Sequence, residues 1–413
     1  MEIIRKIKEH GFKGTVKVIM GKRNIIFNKM LYYICWLIPI DEKLICFESE
    51  GDLSDNTFAL YDYMKKNNYF SKYKAVWFVD NVDIAKEKKD SFPNTCFVIK
   101  NGAMQISFNR ARYLASCKWF IFDHCDLFED LAIRKNHKSI NLWHGCGFKQ
   151  GKNSKINHQG VVINTGDFFN KTTALGCGYN YEQIFNLGYP RNDYFFCEDA
   201  NKILELKKLI FKNSYEKLFL WMPTFRRSYS AALDESYFES KTGLPIVYDV
   251  NGLEKLDLYL KSVKSLCVFK VHHLQLELPV FKQKFENIVM MNDEDLAHYN
   301  IQLYQVMPIF DCLITDYSSI YNDFMLLNKP IIFTVDDYEK YRDSRGFWLK
   351  DSIKYFAGEC VKTYSELIAA MTDVCEGIDK YAQKRHELLP LFHTYTDGLS
   401  SRRILEKFDI KNN

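Results

Sequence analysis

The side chains best suited to chemistry in this 413-residue chain are histidines, serines and cations set beside small or rigid neighbours. His144 lies between Trp143 and Gly145, five residues before Lys149. Histidine's ordinary pKa lets it take a proton from a hydroxyl near neutral pH, and Gly145 permits close approach of backbone or ligand. A packed or capping histidine is the other reading. Lys149 adds a cation, which suits an anionic substrate. In Asp316-Tyr-Ser-Ser319, a helix opened at Ser318 or Ser319 would aim free N–H groups and the positive end of its dipole at a phosphate. An ordinary serine cap would look alike. Near the C-terminus, Asp397-Gly-Leu-Ser-Ser-Arg-Arg403 spaces Ser401 and Arg403 to offer a hydroxyl, helix-end amides and a planar fork to one anion. A capping sequence with solvated arginines is its alternative.

His272 and His273 invite a metal reading, but neighbours on an extended strand point to opposite faces, and no H-E-x-x-H or C-x-x-C occurs. His272 is therefore assigned with Lys270 to a substrate cleft, and no metal site is expected. Gly145-Cys-Gly147 and Gly176-Cys-Gly178 lack the third glycine of a dinucleotide fingerprint, and no phosphate-binding G-x-x-x-x-G-K-[ST] is present. Asp293-Glu-Asp295 reads as a helix start with solvated acids.

These residues need elements to position them. Apolar runs of strand length recur at 44–47, 75–79, 96–99, 119–122, 140–142 and 161–163, and again at 218–222, 266–269, 288–291, 312–315 and 330–334. Helical spacing fills 57–67, 200–211, 252–262 and 318–327. The alternation predicts an α/β chain of two parallel sheets covered by helices, in consecutive copies. The polar motifs follow the strands directly: Trp143 to Lys149, Gly188-Tyr-Pro-Arg-Asn-Asp193, Pro223-Thr-Phe-Arg226, His272 and Asp316 to Ser319. Ligands of open parallel sheets bind beyond the strand carboxyl ends, so one cleft between the two sheets is expected.

Net charge is only +4, too weak for a dedicated nucleic-acid binder. The excess is local, because residues 1–30 carry +6 and the remainder −2. An apolar run at 25–40 follows, too short and interrupted to span a bilayer. Its mix of cations with Tyr32, Tyr33 and Trp36 suits a segment lying on an anionic membrane, while a solvated basic helix followed by a packed one is the other reading. The 12 cysteines show no paired spacing and read as reduced, mostly buried thiols of a cytosolic protein.

Together the motifs Phe47-Glu-Ser-Glu-Gly-Asp-Leu-Ser-Asp-Asn56, Trp143-His-Gly145, Tyr189 to Asp193, Pro223 to Arg226, Lys270-Val-His272, Leu313 to Ser319, Arg345-Gly-Phe347 and Asp397-Gly398…Ser401…Arg403 resemble the CDP-glycerol glycerophosphotransferase family, the polymerases and primases of teichoic-acid-type polymers. The resemblance implies a GT-B arrangement of two Rossmann-like domains facing a central cleft. Residues 1–42 would form a membrane-associating segment, 43–205 the acceptor-side domain and 206–413 the donor-nucleotide domain. The implied enzyme transfers glycerol phosphate, or a related alditol phosphate, from CDP-glycerol or CDP-ribitol to a hydroxyl of a lipid-linked or polymeric acceptor, releasing CMP. It would build teichoic-acid or capsule-type polymers at the cytoplasmic face of the membrane without a tightly bound cofactor. By the likeness His144 is the base, His272 and Arg403 contact donor phosphates, and the Ser318-Ser319 turn receives the pyrophosphate. Lys149, Arg191, Asn192, Asp193, Arg226, Lys270 and Asp316 are further candidate substrate contacts. Cys146, Gly147 and Phe148 stand where the family commonly shows Thr-Pro-Leu. A sugar transferase of the same architecture and a non-catalytic membrane scaffold are the rival readings.

Overall fold

A computed structural model describes residues 23–412 except 101–106, 125–131, 152, 155–157, 197–204, 206, 209–210, 212–214, 225–239, 272, 277, 300 and 350. The apolar runs become the strands of two sheets. The first contains β1 (Asp41–Glu48), β2 (Lys74–Val79), β3 (Thr95–Ile99), β4 (Cys117–Phe122), β5 (Lys138–Asn141), β6 (Val161–Asn164) and β7 (Ile184–Asn186), in the order β3-β2-β1-β4-β5-β6-β7. The second contains β8 (Leu218–Met222), β9 (Leu266–Phe269), β10 (Ile288–Met290), β11 (Cys312–Thr315), β12 (Ile331–Thr334) and β13 (Glu359–Val361), in the order β10-β9-β8-β11-β12-β13. All pairings are parallel. Strands β9, β11 and β12 are buried at every position, as expected of sheets covered on both faces. β13 escapes a reading from apolar runs because it has three residues and one buried position.

In each sheet the chain starts in the middle and winds outward both ways, so the order reverses between β1 and β4 and between β8 and β11. The crevices beyond these switch points are where ligands of such sheets bind. They receive Glu48 and Asp123 in the first sheet, Pro223 and Asp316 in the second.

The two bodies touch through backbone and rings. Lys149 pairs with Phe347 in an antiparallel bridge. Gln150 N donates to the Gly346 carbonyl at 3.0 Å and Trp348 N to that of Phe148 at 2.9 Å. The Arg345-Gly-Phe347 motif is thus a strap across the interface, with Gly346 in the left-handed region at φ 81°. Buried Phe148 sits among the rings of Phe168, Phe169, Tyr321, Tyr355, Phe356 and Phe392.

The last helix, Ser400–Lys407, returns to the first body. Arg403 Nε donates to the Leu187 carbonyl at 3.1 Å, and Trp119 Nε1 donates to that of Phe408 at 3.0 Å. The expected division at 205/206 therefore leaves this helix, far along in sequence, packed on the first body. At the other end, the helix of residues 23–34 turns Asn24, Asn28 and Tyr32 inward, followed by Cys35, and leaves Ile26, Phe27, Met30, Tyr33, Ile34 and Leu37 exposed.

Candidate active site

His144 stands just beyond β5 on a loop that leaves the first sheet toward the second. Trp143 has φ 55°, rare for an aromatic residue. Two hydrogen bonds hold it there: its N–H donates to Asn141 Oδ1 at 2.8 Å, and its carbonyl accepts from Asn56 Nδ2 at 2.7 Å. The Trp143 ring then stacks on the imidazole, with centroids 4.2 Å apart and planes at 30°. His144 Nδ1 lies 3.0 Å from the Asp123 carbonyl oxygen. A carbonyl only accepts, so in the neutral ring Nδ1 carries the proton and Nε2 the lone pair.

The same loop meets the start of the second sheet's helix. A Cβ on Gly145 would lie 2.7 Å from Ser319 Oγ and 3.5 Å from Arg191 Nη2, and one on Gly147 would lie 3.1 Å from Ser319 Cβ. Gly145, at φ 150°, suits this approach as other residues do not, and any side chain at 147 would press on Ser319. Asn322 Nδ2 donates to the Cys146 carbonyl, and His393 Nε2 donates to that of Asn322 at 2.8 Å. The histidine loop and the Ser318-Ser319 turn are therefore in direct contact.

Beneath them is a buried charge cluster. Arg191 binds Asp55 Oδ1 at 2.6 Å and Asp323 Oδ2 at 2.7 Å, with its guanidinium 4.4 Å from the centre of the Tyr304 ring. Asn192 Nδ2 and the Tyr304 hydroxyl donate to the same Asp323 carboxylate at 3.0 and 2.7 Å. Behind His144, the Asp123 carboxylate accepts from Glu50 N at 2.9 Å and Thr57 N at 3.0 Å.

A model of the family CDP-Glycerol:Poly(glycerophosphate) glycerophosphotransferase matches residues 30–408. The chain belongs to this family. It is similar to a teichoic acid poly(glycerol phosphate) polymerase of Bacillus spizizenii, 27% identical over 86% of this chain and 90% of that one. A teichoic acid glycerol-phosphate transferase of Staphylococcus aureus is 28% identical, with 98% of each chain covered. The chain spans 48–59% of three longer polymerase relatives. The solved wall teichoic acid polymerase TagF superposes with TM-score 0.71 at 21% identity, covering 95% of this chain and 97% of that one, and shares the two-domain GT-B-like fold.

For this glycerophosphotransferase, a CDP-alditol phosphotransferase by family, the remaining expected residues fall as follows. His272 and Arg226 lie outside the described residues. Ser319 caps a helix of only five residues, Ile320–Phe324, continued by a 3-10 turn, shorter than the helix expected over 318–327. The Ser318 amide is already taken, since it donates to Asp316 Oδ1 at 3.2 Å. Asp316, fully buried, also accepts from Thr224 N at 2.9 Å, so it ties the β8 and β11 ends together.

The amides of Ser400 and Ser401 are likewise occupied. They donate to the two oxygens of Asp193 at 2.9 and 2.8 Å, so the anion at this helix start is the protein's own carboxylate. The helix-end amides expected to meet a substrate anion at Ser401 thus already hold the Asp193 carboxylate. Arg403 sits 3.9 Å over the Tyr395 ring centre with both Asp397 oxygens 2.7 Å from its Nη1. Arg191 and Asn192 serve the charge cluster and are buried, which argues against direct substrate contact. Lys270, mostly buried, pairs with Asp293 at 2.9 Å, and Lys149 lies in the strap. Burial pushes the Cys146 thiol up to about 11, despite the Tyr189 hydroxyl 2.9 Å from its Sγ, so it is no nucleophile.

Two functional candidates are newly visible. Asp123 directly follows an apolar strand, the same signal as the other motifs, but it carried no small neighbour to mark it. Asn56 stood inside a recognised motif without a role. Among the described residues no group of His, Cys, Asp and Glu is arranged to hold a metal.

Proposed function

We propose that the chain adds glycerol phosphate or ribitol phosphate from a CDP-alditol to the terminal hydroxyl of a teichoic-acid chain or its lipid-linked primer, with His144 as general base. The observation that carries this is the His144 ring, its Nδ1–H on the Asp123 carbonyl and its loop against Ser319. The acceptor hydroxyl oxygen forms a bond to the phosphorus bearing the alditol. The bond from that phosphorus to the bridging oxygen breaks, CMP leaves with the electron pair, and Nε2 takes the hydroxyl proton. Such a transition state spreads charge over the phosphoryl oxygens, so positioning and cationic or dipolar stabilisation dominate. Arg403, once released from Asp397, His272 and the remaining amides of the Ser319 turn are the proposed phosphate contacts. The relatives' names, one a glycerol-phosphate polymerase and another a ribitol-phosphate polymerase, support either donor.

His144→Ala tests the base. Turnover of CDP-glycerol should fall by about 10³-fold or more while its binding, measured by calorimetry, changes less than about threefold. Retained turnover, or equal loss of binding, rejects the assignment. Scoring the nucleotide product separates alditol-phosphate transfer, which releases CMP, from sugar transfer, which releases a nucleoside diphosphate.

We also propose that the chain works on an anionic membrane surface, held by the basic N-terminal stretch and the helix of residues 23–34. No helix of the described residues is long and apolar enough to cross a membrane. The support is the outward apolar row from Ile26 to Leu37, where Leu37 is 88% exposed.

A further inference from the structure

The segment Phe47–Asn56 leaves β1 at the switch point of the first sheet, and its Glu50 carboxylate comes within 4.0 Å of His144 Nδ1. Its backbone is held in uncommon states, with Leu53 and Asp55 at φ 55° and 56°. The Asp123 carboxylate grips it from both sides through Glu50 N and Thr57 N. At its end stands Asn56, fully buried. Both ends of its amide are used: Nδ2 donates to the Trp143 carbonyl at 2.7 Å, and Oδ1 accepts from Arg191 N at 3.1 Å. Those partners fix the orientation of the amide, because a carbonyl must face the NH₂ and an N–H must face the oxygen.

Each partner opens onto a different body. Trp143 precedes His144, stacks on its ring and holds the φ of 55° that aims the loop. Arg191 reaches Asp323 of the second body at 2.7 Å, four residues after the Ser319 that packs on Gly145. One side-chain amide thus spans the base loop and the charge cluster on which the second body seats. We propose that Asn56 is a positioning residue that makes the orientation of the His144 imidazole depend on the seating of Asp323 against Arg191. This rests on His144 being the base. Loss of the Trp143 contact releases a strained turn and lets the imidazole drift, and a displacement of about 1 Å costs on the order of 10²-fold in rate.

Asn56→Asp isolates the link. It keeps an acceptor for Arg191 N but replaces the donor facing the Trp143 carbonyl by a carboxylate oxygen, and protonation of that carboxyl restores a donor. Fully buried next to Asp55, the introduced group should hold its proton above the ordinary carboxylate range, although the Arg191 guanidinium bound to Asp55 and Asp323 opposes the shift. With CDP-glycerol as donor at pH 8, kcat should fall about 10- to 100-fold with KM within about threefold, and the ratio of variant to native kcat should climb several-fold between pH 8 and pH 6. A purely structural lesion would lower melting temperature and leave that ratio flat. Asn56→Ala, which has no proton to regain, should show the same kcat loss without recovery, and its kcat and KM decide the matter if the first variant does not fold. Native kcat in both variants, or a loss confined to KM, overturns the coupling. His144→Ala measured alongside separates the two readings: turnover retained there rejects the base itself, whereas an inactive His144→Ala beside a fully active Asn56→Asp rejects only the role of Asn56.

Discussion

Burial by itself would strip the proton from His124, yet hydrogen bonds to Asp123 and Glu48, each 3.4 Å away, outweigh it and push the imidazole up to about 10. Glu48 shows the converse. Burial raises its pKa, but Arg110, with Nη2 2.8 Å from Oε2, then His124 and Lys100 hold it down to about 2. The two residues form a charged floor under the loop that carries Glu50 and Asn56, adjoining the Asp123 whose carbonyl orients His144. Removing one member of such a floor leaves its partner poorly compensated. His124→Gln should cost about 3 kcal/mol, at the low end for a broken buried pair because Glu48 retains Arg110 and Lys100. The pH dependence has a definite sign. The folded pKa lies above the unfolded value of about 6.5, so the stabilisation is complete below that pH and lost as pH rises through about 10. Urea unfolding at pH 6, 8 and 10 should show the native protein's advantage over the variant shrinking at the highest pH; a constant difference would mean that His124 is neutral in the fold.

Among the elements, the helix Ser400–Lys407 shows what linear reading reaches and where it stops. The strand runs were legible because both faces of each sheet are covered, which forces continuous apolar stretches at β8, β9, β11 and β12. Their ends were legible too, since Trp143 to Gly145 and the Ser318-Ser319 turn do meet. The protein partners of the polar residues were not legible, because such a partner lies anywhere in the chain. Ser400 and Ser401 looked like an open anion site, but Asp193, 207 and 208 positions earlier, already fills it. Arg191 looked like a free cation and is buried between Asp55 and Asp323. Asn56 and Asp123 act through single hydrogen bonds that leave no periodic trace. Because Asp193 satisfies two helix-start amides across sequence, Asp193→Ala should remove about 1–2 kcal/mol and loosen the last helix from the first body. Hydrogen exchange should speed up across 399–408 while β8 to β12 stay protected; uniform exchange across both sheets would show that the cap is not local.

At the scale of the whole molecule, the helix of residues 23–34 and the turn after it carry apolar side chains on both sides. The inward side holds Tyr32 and Cys35 beside Asn24 and Asn28, with Asn28 Oδ1 accepting from Ser107 N at 3.0 Å, while Ile26, Phe27, Met30, Tyr33, Ile34 and Leu37 are exposed. Water-soluble domains rarely leave such an apolar row facing water. Fully burying one large apolar side chain is worth about 1.5–3 kcal/mol, and a cation near an anionic leaflet adds about 1 kcal/mol, so this row and the +6 of residues 1–30 reinforce each other. Such a seat would bring the first body, with β1, β4 and the His144 loop, near lipid-linked acceptors. Met30→Asp with Ile34→Asp changes only exposed positions and should leave soluble turnover of CDP-glycerol intact. Flotation with vesicles containing anionic lipid should drop at least fivefold for the variant, and native binding should weaken on neutral vesicles and at high salt. Native flotation by the doubly substituted chain would exclude this helix as the membrane contact.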